Sequence, residues 1–459
     1  MPRITIVTDI FPPTPRVGIH RTVGLCRYLV ERGWSVTVIT TRPDPDDGAD
    51  VGLLKDVPPA VRVRRLPVWD FNAAASRTIA RLKGSNGSAP APKPNPADSH
   101  REARDESQED RRSGLLRRGA DWLSWWLHVP DRKAGWLPPA AAAAIGEAMR
   151  HRPDAVFSTA PLWTSHVVAG VVSEAFRVPW VADFRDPWRG SHWRHLPYAS
   201  HRSADERLER WVVRRASRIT CAWDGIRRHL SARYPWKADR IETIVNGFDP
   251  AQIDDVRPIE TDADRCVLIH TGTFYGPRSP EPLFAALERL ADEHPDEADR
   301  LRIELVGSPE YGGAPLEELA RRRGVDGLVR VRGSVPFAEA VGRVKGADVA
   351  MLFGQSGSKE LASVPAKAFD YIGLSKPVLA VGAGDDAVEL MRRGGCRVFR
   401  AEADRVGELT DRLCEIVEQY DRGKLRGDDA SARDRFRRSE MARRLAAAVN
   451  AVTVNPVSF

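Results

Sequence analysis

Lys367 and Asp370 stand three residues apart in the stretch SVPAKAFDYIGLSKPVLAVG, Ser363 to Gly382. Residues with that spacing share one face of a helix. A lysine beside a helix start offers an anion a full charge on top of the exposed N–H groups there. An aspartate one turn deeper can accept hydrogen bonds from a sugar diol. Phosphate at the helix tip and ribose beside its first turn would together grip a nucleotide. Asp183, Arg185 and Asp186, in VPWVADFRDPW, form a second group at the end of an apolar strand. Ligands of open α/β sheets sit beyond the carboxyl ends of strands, so this group is well placed to meet a ligand. Each group also has a plainer reading. Lys367 and Asp370 would be a solvated pair on a capped helix, and Arg185 would clamp two acids in a buried ion-pair network.

The elements that position these residues follow from periodicity. Ser363 is a helix cap and Pro365 suits the first turn, where its missing N–H is not needed. Lys376-Pro377 ends the turn after the helix, and Val378 to Val381 reads as a strand buried on both faces. At the other end of the chain, Ile4 to Ile10 is a buried strand with Asp9 near its close, and Phe11-Pro12-Pro13 is its exit loop. Val23 to Arg32 is an amphipathic helix ending at Gly33, and Trp34 to Thr40 a second strand, which completes a βαβ unit. No GxGxxG opens that helix, so a standard dinucleotide fingerprint is absent. Helices are expected at 140–150, 165–176 and 207–217, and strands at 154–159, 178–182, 219–222 and 243–249. A polar linker, 249–264, follows. Its Asp262-Ala263-Asp264 triplet is read as a solvated loop, not a metal site. From Cys266 a second alternating series begins, with strands at CVLIHTG, RIELVG, VRVRG, DVAMLFG, PVLAVG and CRVF. The predicted class is α/β, with two Rossmann-like doubly wound domains over 1–248 and 265–433. A last amphipathic helix lies within 434–459.

Composition narrows the function. The 459 residues are 42% apolar, enough for two cores. The 70 basic and 63 acidic residues are interspersed and sum to a net +7. That balance suits small acidic ligands or an anionic membrane surface and argues only weakly for nucleic acid, so no nucleic-acid partner is expected. Five scattered cysteines without a CxxC pair suggest neither a disulfide framework nor zinc. MPRITIVTDIF reads as a strand rather than a signal peptide, and no apolar run approaches membrane-spanning length. The expected home is the cytoplasm or the inner face of the membrane.

Residues 84–113 hold no apolar side chain larger than alanine or proline, so a disordered insertion is expected there. A tryptophan-rich amphipathic helix is expected over 114–127, with Trp122, Leu123, Trp126 and Leu127 on one stripe. Tryptophans beside Arg117, Arg118, Arg132 and Lys133 would suit a membrane interface; packing on the N-terminal domain is the competing reading.

Taken together, VPAKAFDYIGLSKPVLAVG, the opening FPP…G…R…LxxRGWxVTVIT and the VNGFD segment resemble glycosyltransferase family 4. The acid-Arg-acid-Trp motif of VADFRDPW resembles one subgroup of it. The resemblance spares only 44–137. It implies the GT-B architecture, in which two Rossmann-like domains face each other across a cleft. It further implies transfer of a sugar from a nucleotide-diphosphate sugar to a glycan or lipid-linked acceptor, in surface polysaccharide or glycolipid synthesis. Retention of configuration is implied, with no metal or other cofactor. In the family pattern two acids lie eight apart; here Asp370 fills the second position and Ala362 the first. The donor-binding set implied is Gly272, Thr273, Arg278, Val335, Pro365, Lys367 and Asp370, with Thr273 in place of a second cation. The catalytic set is Asp183, Arg185, Asp186, Arg278 and Lys367, and the acceptor-side loop is Gly18, His20 and Arg21, which a plain surface loop would explain as well. A nucleotide-sugar epimerase of the same shape and a non-catalytic nucleotide-sugar-binding partner are the alternatives.

Overall fold

The computed structural model describes residues 1–16, 18–44, 48–69, 122, 124–190, 196–262, 264–276, 278–354 and 363–454. The insertion at 84–113, the first part of the tryptophan-rich segment and Ala362 lie outside them.

Short apolar runs rich in Val and Ile form two parallel sheets. The first contains β1 (Arg3–Thr8), β2 (Ser35–Thr41), β3 (Arg62–Leu66), β4 (Ala155–Ala160), β5 (Trp180–Phe184), β6 (Arg218–Cys221) and β7 (Ile241–Thr243), in the order β3-β2-β1-β4-β5-β6-β7. The second contains β8 (Cys266–Thr271), β9 (Leu301–Val306), β12 (Val329–Gly333), β13 (Val349–Phe353), β14 (Val378–Val381) and β15 (Val398–Ala401), in the order β12-β9-β8-β13-β14-β15. A hairpin of β10 (Glu310–Tyr311) and β11 (Ala314–Pro315) lies outside it. Side chains alternate between faces, and both faces are covered. In β4, Val156 enters one core while Ala155 and Phe157 enter the other. The chain is α/β, with two doubly wound sheets.

Each sheet has one place where the winding reverses. In the first, β1 and β4 are neighbours; in the second, β8 and β13 are. Loops leave the carboxyl ends of such a pair in opposite directions and open a crevice for ligand. Asp9 and Leu162-Trp163 follow β1 and β4, while Gly272 follows β8 and the Lys367 helix follows β13.

Several boundaries differ from the sequence expectation. Strand β3, RVRRL, is new: it is an edge strand whose arginines keep it soluble, and too few apolar residues mark it. β7 stops at Thr243, and 245–248 runs out toward the linker. There Phe248 N donates to Phe436 O (2.9 Å) and Arg438 N to Phe248 O (2.8 Å), joining the chain's two crossings between domains. The linker holds one helical turn, Pro250–Ile253, capped by Asp249. Asp262 pairs with Arg330 (3.4 Å) and Arg302 (3.6 Å). The last helix runs Arg438–Val454, because Arg435 belongs to a preceding 3-10 stretch. Its Met441, Leu445, Val449 and Val452 enter the core of the first domain beside Val23, Cys26 and Leu29 of α1 (Ile19–Glu31). The C-terminus is therefore part of the N-terminal domain's packing. The domains also touch where Arg228, on the helix Asp224–Arg233, donates to both oxygens of Asp386 at 2.8 and 2.9 Å; Asp386 lies on the helix Asp385–Arg393.

Candidate active site

On the C-terminal side, Gly272 ends β8 with φ +131°, in the region that favours glycine. A Cβ there would lie 2.6 Å from Lys367 Nζ. Lys367 opens the helix Lys367–Gly373 and donates to the Thr271 carbonyl at 2.5 Å. Burial lowers its pKa to about 8, Arg278 adds to that, and Asp370 opposes both. Arg278, from the loop after β8, donates to Tyr275 Oη at 2.9 Å, while its Nε has no partner. Burial pushes the Asp370 carboxyl up to about 6 against Arg438 and Lys367. The fold thus brings Lys367, Arg278 and Asp370 together at a switch point. A buried lysine disfavoured by a neighbouring arginine is stabilised by a polyanion placed beside both.

The helix itself corrects one expectation. Ser363 does not cap it: the N-cap is Ala366, with no side-chain hydrogen bond, and the helix has only seven residues. The positive field at this place therefore comes mainly from Lys367 and Arg278. Pro365 and Ser363 line a narrow crevice with Arg278, Val335 packs against the core, and Thr273 is exposed. His270 was missed by the sequence reading. It is 2% exposed, faces the Met351 carbonyl through Nδ1 at 3.2 Å, and leaves Nε2 without a partner. Burial, with Lys367 and then Arg278 nearby, drives it far below the usual histidine range, so it is neutral. Its only signal was a polar residue near the end of an apolar strand.

On the N-terminal side the acid–Arg–acid group divides. Asp183 is fully buried. It accepts from Arg21 Nη2 (2.6 Å) and Nε (2.8 Å), Thr220 Oγ1 (2.6 Å) and Thr159 Oγ1 (2.8 Å). Burial pushes its pKa up, but Arg21 and the two hydroxyls outweigh that and hold it below the usual value. A carboxylate surrounded by four donors inside the sheet does not reach an acceptor, so Asp183 and Arg21 are structural rather than cleft residues. His20 also leaves the proposed loop: it lines a separate hollow with Arg27, Asp56 and Arg438, and burial lowers its pKa to about 4.

Gly18, Arg185 and Asp186 do line the main cleft, a space of ≈ 910 Å³ that Ser363, Val364 and Phe369 close from the other domain. The Arg185 guanidinium lies across Gly18, where a Cβ would fall 1.8 Å from Nη1. Asp9, at the end of β1, faces it: Arg185 Nη2 and Asp9 Oδ1 are 3.9 Å apart.

The described part of the tryptophan segment forms a wall of this cleft. Trp122 donates to Ser200 Oγ (3.1 Å), and Trp126 lies 4.4 Å from the His201 ring, both on the helix Ala199–Arg215. Trp126 belongs to a 3-10 turn, not a continuing α-helix. Asp131 anchors the segment by accepting from Thr164 N (2.7 Å) and Thr164 Oγ1 (2.9 Å) at the start of the helix Thr164–Phe176. Trp125, His128 and Arg132 face the cleft. Packing therefore accounts for the Trp122 and Trp126 stripe. Among the described residues no helix is long and apolar enough to cross a membrane, and no cluster of His, Cys, Asp or Glu could hold a metal.

Comparison with known proteins agrees with this architecture. Residues 97–247 match the model of a glycosyl transferase 4-like domain. D-inositol 3-phosphate glycosyltransferase 2 of Catenulispora acidiphila is 27% identical over 186 residues, 38% of this chain. That match spans 42% of the relative's length, less than half of it. The fold as a whole is shared with sucrose-phosphate synthase from Thermosynechococcus elongatus, at 13% identity and a TM-score of 0.64 over 99% of this chain and 100% of that one. It is shared too with HepE of Anabaena, solved with UDP and glucose, at 15% identity and a TM-score of 0.60 over 98% and 100%. The match to a glycosyl transferase 4-like domain thus covers part of the first domain, and the likeness of the whole chain to these solved structures is one of fold.

Proposed function

We propose that the protein moves a sugar from a nucleotide-diphosphate donor, held by the C-terminal domain, to a glycan or lipid-linked acceptor held by the N-terminal domain. The observation that carries the proposal is the convergence of Lys367, Arg278 and Asp370 at the β8–β13 switch point. Lys367 and Arg278 suit the diphosphate, whose charge grows as the bond to the sugar breaks. Asp370 suits the ribose hydroxyls. Neutral His270 behind Gly272 adds no further charge and holds the strand end rigid through Met351. Retention of configuration and independence of a metal belong to this proposal, on the strength of the family resemblance. Likeness to a D-inositol 3-phosphate glycosyltransferase and to a protein solved with UDP and glucose supports a nucleotide-sugar donor.

The test is a thermal-shift and calorimetric panel of UDP, GDP, ADP and TDP with their common sugars. One of them should raise the melting temperature by mass action. Lys367→Ala and Arg278→Ala should each weaken that effect. If no nucleotide stabilises the wild-type protein, the donor site is misassigned.

A further inference from the structure

We propose that the N-terminal side of the cleft is a subsite for an uncharged saccharide ring, with Trp125 as stacking platform and Asp9, opposite Arg185, holding and deprotonating the hydroxyl that attacks the donor. This rests on the glycosyltransferase reading and adds the acceptor class and the group that takes the proton.

The argument begins with two half-satisfied charges. Asp9 is 3% exposed, yet its Oδ1 has no hydrogen-bond partner. Arg185 is 7% exposed, and its Nη1 likewise has none. Their 3.9 Å separation is too long for a hydrogen bond. Buried polar groups left unpaired are costly and rare outside functional sites. A hydroxyl is the group that serves both, because it donates to a carboxylate and accepts from a guanidinium. Arg185 is held over Gly18 by a bond from its Nε to the Ala160 carbonyl at 3.3 Å, in a place that only a residue without a side chain leaves open. Asp9 also stands at the β1–β4 switch point, where this fold places ligands.

Charge and shape then define what carries the hydroxyl. Arg16, Arg132 and Arg185 line the cleft against Asp9, Asp131 and Asp186. Among the described residues that line the cleft these are three of each, whereas an acceptor bearing phosphate calls for a positive surplus. Trp125 lies 5.3 Å from His128, ring to ring, and faces the same space. Its segment is fixed from behind by Asp131 and by Trp126 on His201, so the platform is rigid. An aromatic face beside paired Asp and Arg groups suits the apolar face and the hydroxyl rim of a sugar.

In the reaction the acceptor oxygen bonds to the donor's anomeric carbon on the face that the diphosphate leaves, as the bond from that carbon to the diphosphate oxygen breaks, so that configuration is retained. The electron pair leaves with the diphosphate, beside Lys367 and Arg278. The hydroxyl proton passes to the Asp9 carboxylate, which then loses it to water. The charged groups facing Asp9 are Arg185 from the end of β5, Lys133 and Asp131 from the tryptophan-bearing loop, and Arg16 from the approach to α1. Burial raises the Asp9 pKa more than the three cations lower it. Loss of the base on the acid side should therefore come at higher pH than for an ordinary aspartate.

The full-length protein would be assayed with UDP-glucose, UDP-N-acetylglucosamine and GDP-mannose as donors. Methyl glycosides and neutral disaccharides would serve as acceptors, against glucose 6-phosphate and mannose 6-phosphate. Donor binding and donor hydrolysis would be followed separately. Trp125→Ala should raise KM for neutral acceptors roughly tenfold. Asp9→Asn should slow transfer on the order of 10²-fold or more and remove the acid limb of kcat/KM. Neither should change donor affinity. Should Asp9→Asn not fold, the wild-type acid limb and Trp125→Ala carry the test, since Trp125 is a partly exposed side chain. The inference is overturned if phosphorylated acceptors are used more than tenfold better than neutral ones, if no neutral saccharide accepts, or if Asp9→Asn transfers with its acid limb intact. Absence of binding and hydrolysis for every nucleotide sugar would sink the glycosyltransferase reading itself.

Discussion

Arg21 with Asp183 and Arg185 with Asp9 are two arginine–aspartate pairs on the same sheet, built from the exits of β1 and β5 and the start of α1. In the first, bidentate contact and two threonine hydroxyls satisfy the carboxylate completely. In the second the charges stop 3.9 Å short of one another, and each keeps an unpartnered atom. Both are buried, so burial does not separate a structural pair from a functional one. What separates them is whether the protein supplies every hydrogen bond or leaves one for a ligand. The Lys367 and Arg278 cluster belongs with the second kind, since Arg278 adds to the lowering of Lys367 and its own Nε is unpaired.

The largest effect should come from breaking the satisfied pair. Asp183→Ala strands the Arg21 guanidinium inside the sheet, which costs about 3–5 kcal/mol. Urea titration should show it as a large drop in unfolding midpoint, whereas Asp9→Ala should shift the midpoint far less. Equal shifts would erase the distinction between the pairs.

Next in size is Lys367→Ala, which removes a cation from the leaving diphosphate. Turnover should fall on the order of 10²-fold or more, and by a larger factor than donor affinity, while the protein stays folded. An equal loss in binding and turnover would mean that Lys367 grips the ground state only.

Asp370→Asn keeps the shape and removes the charge. Nucleotide affinity should weaken by roughly 1.5–3 kcal/mol, read by calorimetry. In the wild-type protein that affinity should be bell-shaped in pH. Its acid limb lies near 6, where Asp370 takes up a proton, and its alkaline limb near 8, where Lys367 loses one. Asp370→Asn should erase the first limb, and Lys367→Arg should carry the second upward. For folding, Asp370 acts in the opposite sense. The unfolded chain ionises it near 3.8, so stability falls as pH rises from there through 6. A flat profile between pH 5 and 9 would show that neither group meets the nucleotide.

The smallest effect should belong to Arg228→Ala. Its bond to Asp386 joins the domains, but the arginine is 57% exposed. Such pairs contribute at most about 1 kcal/mol, so the unfolding midpoint should barely move. A large loss would reveal a domain contact far stronger than an exposed pair.

How much of this was legible varies with the kind of signal. Strands announced themselves as apolar runs between glycines, and the two alternating series gave both sheets apart from β3, whose RVRRL looks like surface. Lys367 and Asp370 were legible because their spacing is local, and Arg278 through the family resemblance of its loop. Asp9 and His270 were each visible as a polar residue near the end of an apolar strand, but that mark does not say which way the side chain turns. Asp183 and Asp186 are three residues apart in one motif, and nothing local says that one is enclosed and the other lines the cleft. Trp122 and Trp126 follow a helical stripe and pack on Ser200 and His201, whereas Trp125, which the stripe did not include, faces the cleft.

By itself the sequence determined what periodicity and local spacing determine: the α/β class, two doubly wound sheets, and the shared helix face of Lys367 and Asp370. Backbone hydrogen bonding and the alternation of buried side chains are short-range, so they are written in adjacent residues. Only the tertiary structure decided which charges are answered. Arg21 meets Asp183 across 162 positions of chain, and Lys367 meets the Thr271 carbonyl across 96. Satisfaction of a buried charge depends on donors arriving from distant strands, and no local pattern records their arrival.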